Sequence, residues 1–518
     1  MSQTIPAKAS KHPKGLYLLF FTEMWERFGF YLMLGILFLY MTDSLKGGLG
    51  FADGAANDWY GTYIALVYLT PFIGGLLADR IFGYRKTIIA GGSLMAAGYL
   101  TLAIPGTTAF FTALLLIIVG NGLFKPNIST LLGNLYNKPE YVKLKDSGYN
   151  IFYMGINIGA FFCNFIAAWL RNEYGWGYAF AAAGIGMIIG LITFVSGSKG
   201  LAEADQKKQV QKEDMPMSRI VGTIFVPAMI FAAIGFFAGR IFGVENIFGS
   251  ASNDTFLFAC IPVVYYYLAT YLKASSEDKK PIGSLLYIFT VVIIFWAIFH
   301  QNGNVLTAWA ERNTYREMPV ALTGITGTLG MQQVVTVPTD PAETRNDYLA
   351  NLPADEMPAP GESTTLISTE LFQSLNPFFV VLFSIILIIP LWRYLSRRSM
   401  EPSTPAKIAW GLFITGLSTL VMIAAVAMSN NGEMKVSAWW LVGSYAVITI
   451  GELFLSPMGL SLVSKLSPAR LTAVMMGGWF LSTSIGNKLA GVLGHMGSDS
   501  ESKSLVFYIN FAGAMICA

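Results

Sequence analysis

Glu23, Glu26 and Arg27 stand inside a strongly apolar run near residues 15–41, where a charged side chain at the bilayer centre costs at least about 2.5–3.5 kcal/mol on insertion scales. Such groups persist where they bind, relay or neutralise. At about 100° per residue the three share one helical face within about 100° of arc. They begin nine residues after Lys14, roughly 13 Å along a helix and close to a bilayer midplane. Two carboxylates beside a guanidinium can take up a proton and release the cation. A lock between helices is the plainer alternative, but it needs fewer ionisable groups. Lys125, in Gly120-Asn-Gly-Leu-Phe-Lys-Pro-Asn, is a second intramembrane charge that requires a carboxylate partner, and Pro126 beside it breaks the helical ladder. Glu452, in Gly451-Glu-Leu-Phe-Leu-Ser-Pro, is a third, with Ser456 one turn on along the same face and Pro457 as the local break. Lys125 and Glu452 each have a purely structural reading as well. Charges from the two halves of the chain aimed at one cavity suit a zwitterion, with an amine at one end and a carboxylate at the other.

A fourth charged cluster, Asp79, Arg80, Arg85 and Lys86, lies in Gly75-Leu-Leu-Ala-Asp-Arg-Ile-Phe-Gly-Tyr-Arg-Lys, between two apolar runs. Asp79 there caps a neighbouring helix end while the cations pair with acidic groups or lipid, contacts that break when the halves rock. Gating is the expected role.

The elements that must hold these residues are transmembrane helices. Of the 518 residues 54% are hydrophobic and 13% charged, against about 25% charged in soluble domains. The 52 glycines fit helices packed through small residues. A net charge of +3, spread over many loops, excludes a nucleic-acid partner. Cys163, Cys260 and Cys517 read as small buried hydrophobes, with no disulfide framework, metal site or cofactor. Fourteen apolar runs of spanning length are expected, near 15–41, 59–78, 87–105, 109–133, 148–170, 176–197, 219–242, 254–273, 283–307, 367–394, 406–428, 437–463, 470–494 and 504–518. The last is short, so the given chain is expected to stop inside its final helix.

Basic loop residues set the orientation. Lys8 to Lys14, Arg80 to Lys86, Lys138 to Lys145, Lys199 to Lys212, Lys273 to Lys280 and Arg393 to Arg398 alternate onto one side. That side is cytoplasmic, N-terminus included, and the acidic segment 308–365 lies outside. No cleavable signal peptide is expected. The charged stretches at 199–219 and 277–280 bracket two extra spans, so the architecture is six plus two plus six: a six-helix bundle over 1–198, a linker and inserted helix pair over 199–280, and a second bundle over 281–518. This is the arrangement of a major facilitator fold with an inserted hairpin, an all-α membrane protein whose repeats meet near the midplane.

Glu23-Met-Trp-Glu-Arg-Phe resembles the ExxER signature of the proton-dependent oligopeptide transporters. The loop from Gly75 to Lys86 resembles the family's form of the major-facilitator loop motif. Phe152-Tyr-Met-Gly-Ile-Asn-Ile-Gly, Phe295-Trp-Ala-Ile-Phe, Asn376-Pro and Gly451-Glu-Leu-Phe-Leu-Ser-Pro are similar to its fifth, seventh, eighth and tenth helix motifs. The inserted pair resembles that of prokaryotic members, which implies a bacterial inner membrane. The resemblance implies that Glu23, Glu26, Arg27 and Lys125 couple protonation to transport, and that Tyr31, Tyr68, Tyr153 and Asn157 line the pocket. It further implies that Glu452 holds the peptide amine with Asn376, and that Trp296, Phe299, Ser456 and Trp479 shape the side-chain pockets. Charges for the termini and aromatic walls with few hydrogen bonds give broad specificity. Two positions depart from the family. Leu34 replaces a first-helix arginine seven residues after Arg27, and His300 replaces a seventh-helix acid. Losing both avoids stranding one charge. His300 is then either a neutral hydrogen-bond partner or a replacement proton site, and Arg27 and Lys125 remain for the peptide carboxylate.

The expected function is a symporter of protons with di- and tripeptides, acting by alternating access, for which a monomer suffices. The rivals are the same fold carrying nitrate or a drug-like amphiphile, and a non-transporting peptide sensor. Glu452 argues against an anion carrier. An enzyme is disfavoured, since His12, His300 and His495 lie far apart and no GxSxG or HExxH motif occurs.

Overall fold

A computed structural model of the chain describes residues 11–206, 216–317, 323–340, 343, 346–455, 462–463, 466–467 and 472–518. The apolar runs are helical, because a backbone crossing a bilayer must satisfy its N–H and C=O groups within the segment. In chain order the helices are α1 (Lys14–Thr42), α2 (Asp53–Leu77), α3 (Tyr84–Leu102), α4 (Thr107–Leu135), α5 (Lys145–Tyr174) and α6 (Trp176–Gly197). Then come α7 (Ser218–Phe236) and α8 (Ala251–Leu272), the inserted pair, followed by α9 (Ser276–Phe299) and α10 (Thr369–Arg397). The last are α11 (Thr404–Met428), α12 (Trp439–Leu455), α13 (Thr472–Asp499) and α14 (Leu505–Cys517). Among the described residues nine helices are long and apolar enough to cross a membrane. The chain is an all-α membrane protein.

Two expectations about element boundaries change. Helix α2 starts at Asp53, not near 59, because its polar first turns are helical, and the Asp53 carboxylate suits the positive end of the helix dipole. The described residues of 308–365 include regular structure. A helix, Val305–Arg312, leads into strand β1 (Thr314–Tyr315), followed by β2 (Gln332–Thr336) and β3 (Ser363–Ile367), with β4 (Val436–Ser437) arriving from the turn after α11. β1 pairs in parallel with β4, and β2 and β3 form a separate two-stranded sheet. Burial alternates along β2, the period of a half-buried strand. Val335, Val337, Tyr348, Leu349, Leu352 and Leu366 form its small core.

The chain divides into two compact units. The first holds α1 up to Ile36, α2 from Leu69, α3 to α6 and residues 324–332. The second holds Leu37–Tyr68, α7 to α14 and the rest of the 308–365 segment.

In the first unit, glycines set the helix spacing, as they must where lipid supplies no hydrophobic drive between helices. A Cβ on Gly159 of α5 would sit 3.0 Å from the Phe28 nitrogen of α1, and one on Gly29 of α1 would sit 2.9 Å from the Ala183 carbonyl of α6. Gly91 of α3 and Gly120 of α4 abut likewise, and a Cβ on Gly74 of α2 would collide with the Gly122 carbonyl. Helix α4 is therefore held on both flanks where Asn121 and Lys125 project.

The second unit uses the same device. Gly451 of α12 meets Gly411 of α11, and Gly486 of α13 lies against Ile293 and Trp296 of α9. A Cβ on Gly61 of α2 would stand 2.7 Å from the Gly491 Cα of α13.

Candidate functional site

In the first unit Glu23, Glu26 and Arg27 are all buried. Arg27 donates through Nε and Nη2 to both carboxylate oxygens of Glu26, a bidentate pair of the strong, charge-assisted kind. Its Nη2 also donates to Asn121 Oδ1 at 3.3 Å, and its Nε lies 3.5 Å from Glu23 Oε1. Glu23 Oε2 has no hydrogen-bond partner among the described residues. The guanidinium carbon stands 4.7 Å from the Phe30 ring centre and 5.8 Å from that of Tyr31. Lys125, four residues after Asn121 and so on the same face of α4, is within electrostatic reach of Glu23, Glu26 and Arg27. Helix α4 runs through Pro126 without ending. Proline costs it one ladder bond, that to the Gly122 carbonyl, on the flank where Gly74 packs. Tyr153 of α5 is exposed and within electrostatic reach of Glu23. Asn157 is half-buried and donates back to the Tyr153 carbonyl at 2.9 Å.

The loop charges of this unit are arranged differently from the sequence expectation. Asp79 sits in a π-helical turn, Ala78–Phe82, and accepts the Tyr84 hydroxyl at 2.7 Å. The cap on α3 comes from Asp205, whose Oδ1 accepts the backbone N–H groups of Tyr84 and Arg85 at 2.8 and 3.3 Å. Arg85 donates to Ser198 Oγ at 3.3 Å, Arg80 is half-buried, and Lys86 is exposed. Asp205 was not legible as a cap, because it lies more than a hundred residues from the helix it caps.

In the second unit Tyr68, Trp296, Phe299 and His300 form one aromatic cluster. The ring centres lie 5.0 Å apart for Trp296 and His300, 5.5 Å for Tyr68 and His300, and 5.4 Å for Trp296 and Phe299. The buried Trp296 Nε1 has no hydrogen-bond partner among the described residues, so it is a donor available to a guest carbonyl. His300 is buried and opens a tight turn, His300–Gly303, after α9. On α10 and α12, Asn376 Nδ2 donates to Glu452 Oε2 at 2.8 Å and to Thr449 Oγ1 at 3.1 Å. Gly451, beside Glu452, packs against Gly411 and Thr415 of α11. Trp479 is buried on α13. Ser456 and Pro457 lie outside the described residues.

Sequence reasoning passed over a further buried cation. Lys488 of α13 is fully buried inside the run expected at 470–494, and that position was itself the signal. Asp58 and His495, near it, each fall one residue outside the expected runs.

Against known proteins, the family model described as the POT family matches residues 85–324 and 354–509. The transporter YclF of Bacillus subtilis is 35% identical over 91% of this chain and 85% of its own. A di-/tripeptide transporter of Lactococcus lactis subsp. lactis is 33% identical, over 91% of this chain and 87% of its own. A crystal structure of a peptide transporter POT in complex with sulfate superposes with a TM-score of 0.74 at 29% identity, covering 99% of this chain and 95% of that one. With three quarters of its length matched by the family model and its fold reproduced throughout, the chain belongs to the POT family.

Proposed function

We propose that this chain is a proton-coupled symporter that imports di- and tripeptides by alternating access. The observation that carries this reading is the uneven sharing of Arg27. Glu26 holds both arms of the guanidinium, whereas Glu23 stands 3.5 Å off with one oxygen unpartnered. Glu23 can therefore accept a proton without dismantling the pair. Protonation removes a negative charge beside Arg27 and Lys125 and frees cationic character for a peptide carboxylate. Glu452, oriented by Asn376, takes the peptide ammonium. Tyr31, Tyr68, Tyr153, Asn157, Trp296, Phe299, Ser456 and Trp479 serve the backbone and side chains, with the free indole N–H of Trp296 for a carbonyl. His300 is a second proton acceptor within the aromatic cluster. Asp79, Arg80, Arg85 and Lys86 act in gating. The Lactococcus relative's name, a di-/tripeptide transporter, supports the same cargo.

The loop charges support an N-terminus in the cytoplasm and placement in a bacterial inner membrane, with the 308–365 segment outside. A single chain suffices for the cycle. One proton entering down 100 mV supplies about 2.3 kcal/mol, enough for roughly 40-fold accumulation of peptide. The test is direct: dipeptide added to proteoliposomes loaded with a pH-sensitive dye acidifies the lumen under an inward proton gradient. Peptide addition that leaves the internal pH unchanged overturns the coupling.

A further inference from the structure

One buried cluster of titratable groups, within the second unit, has no part in the site above. The Asp58 carboxylate of α2 is almost fully buried. Its Oδ2 lies 2.7 Å from His495 Nδ1 of α13, and its Oδ1 accepts Nδ2 of Asn253, the third residue of α8, at 2.8 Å. Both oxygens are thereby engaged, one by the end of α13 and one by the inserted helix pair. The other ring nitrogen of His495, Nε2, stands 3.1 Å from Asp499 Oδ2, one turn on along α13. Both imidazole nitrogens thus face carboxylates, an arrangement that only the doubly protonated ring satisfies with two donors. His495 is one fifth exposed, so it exchanges protons with solvent.

The other charges packed around the pair complete its logic. Lys488, two turns before His495 on α13, points its ammonium at oxygens: Thr62 Oγ1 at 2.5 Å, the Asp58 carbonyl at 3.3 Å and Ser252 Oγ of α8 at 3.5 Å. It is thus a second basic group beside Asp58, held by neutral oxygens of α2 and α8. Asp254 of α8 is occupied by the backbone amides of Ile247 and Phe248 at 2.9 and 2.8 Å. Asp53, at the start of α2, pairs with Arg312. The backbones of α2 and α13 meet at Gly61 and Gly491, which puts the pair at a tight helix crossing.

We propose that Asp58 and His495 form a second proton-binding site of the transport cycle, with Asn253 of the inserted helix pair as its positioning residue. This rests on the reading of the chain as proton-coupled, and the orientation argued above puts the site at the outer ends of α2 and α13. The doubly protonated ring clamps the start of α2 to α13. The neutral ring gives up one of its two carboxylate contacts and loosens the clamp. The inserted pair, through Asn253 and Ser252, is a working part of this device.

The experiment has two arms. The first is hydrogen exchange of residues 53–62 in the peptide-free protein in nanodiscs at pH 5.5 and 8, corrected for the intrinsic rate. Native protein is expected to show about tenfold or greater protection at the lower pH, where a ring that donates from both nitrogens holds both carboxylates. His495→Gln and Asp58→Asn, which keep a neutral hydrogen bond at the crossing, are expected to lose the difference, and Asn253→Ala to reduce it. Equal protection at both pH values in native protein overturns the proposal. The second arm is dipeptide uptake against external pH. His495→Gln is expected to flatten the limb between pH 6 and 8 while leaving counterflow exchange within about twofold of native. An unchanged limb overturns the proposal. The first arm uses no peptide, so a pH-dependent clamp in a protein that carries no dipeptide refutes the cargo and keeps the site.

Discussion

The division of labour between the two acidic residues of α1 yields a test in which near-identical substitutions differ in kind. Glu26→Gln keeps the shape of the side chain but turns one of the two acceptors of Arg27 into a donor, so an amide N–H faces a guanidinium N–H. Arg27 is buried, and beyond the one amide oxygen its remaining partners are Glu23 at 3.5 Å and Asn121 at 3.3 Å. Breaking a buried ion pair by removing one partner costs about 3–5 kcal/mol, and the nearby Glu23 carboxylate puts this case at the lower end, about 3 kcal/mol. For a chain of this length that is a fall in thermal midpoint of roughly 3 °C. Glu23→Gln removes only the longer contact and gives the unpartnered oxygen position a neutral group, so its midpoint is expected within about 1 °C of native. The transport readouts separate the two in the opposite sense. Glu23→Gln retains peptide counterflow but loses gradient-driven accumulation, whereas Glu26→Gln loses both. Thermal unfolding in detergent and uptake in proteoliposomes measure the two quantities on the same preparations. Equal loss of stability in the two variants, or a greater loss in Glu23→Gln, refutes the reasoning.

Three further outcomes follow from the packing and electrostatics. Gly74→Ala drives a Cβ into the Gly122 carbonyl, so overpacking of about 1–3 kcal/mol is expected; a variant as thermostable as native in a detergent melt contradicts the close approach. Glu452→Gln is expected to raise KM for dipeptides about tenfold or more, roughly 1.4 kcal/mol of binding, with a smaller rise for Asn376→Leu; an unchanged KM in initial-rate uptake removes Glu452 from the amine site. In the turn between α11 and α12, burial and the neighbouring Arg316 lower the Lys435 ammonium from an ordinary 10.5 to about 7. The unfolded chain then binds the extra proton between about pH 7 and 10.5, so this group makes stability rise with pH across that window and is least favourable below pH 7. Lys435→Met is expected to flatten the rise in thermal midpoint, by about a few degrees over the window. A pH profile of melting that superposes on that of native protein rejects the assignment.

What could be read ahead of the structure follows from what each signal costs. Glu23, Glu26 and Arg27 stand out because a charge in a 20-residue apolar run has no inexpensive explanation, and helical periodicity alone puts them on one face. Lys125 shares that legibility, and so does Glu452, whose partner Asn376 came from family resemblance. Asn121, which touches Arg27, gave no warning: a neutral amide between two glycines costs little in a helix interior. Groups at helix ends are harder still. Asp58 and His495 look like ordinary solvated termini, and only the crossing at Gly61 and Gly491 buries them together. The Asp205 cap on α3 and the pairing of β1 with β4 are long-range contacts that no local spacing encodes. The strands within 308–365 are not legible, because a two-residue or five-residue strand lacks the length of an apolar membrane run and declares itself only by alternation.

The most direct measurement of the central claim is uptake of a labelled dipeptide into proteoliposomes with an imposed inward proton gradient and membrane potential. The account predicts accumulation above equilibrium, approaching roughly 40-fold at 100 mV for one proton per peptide, and its collapse when a protonophore dissipates the gradient. Dipeptide uptake that never exceeds equilibrium, with or without the gradient, would contradict it.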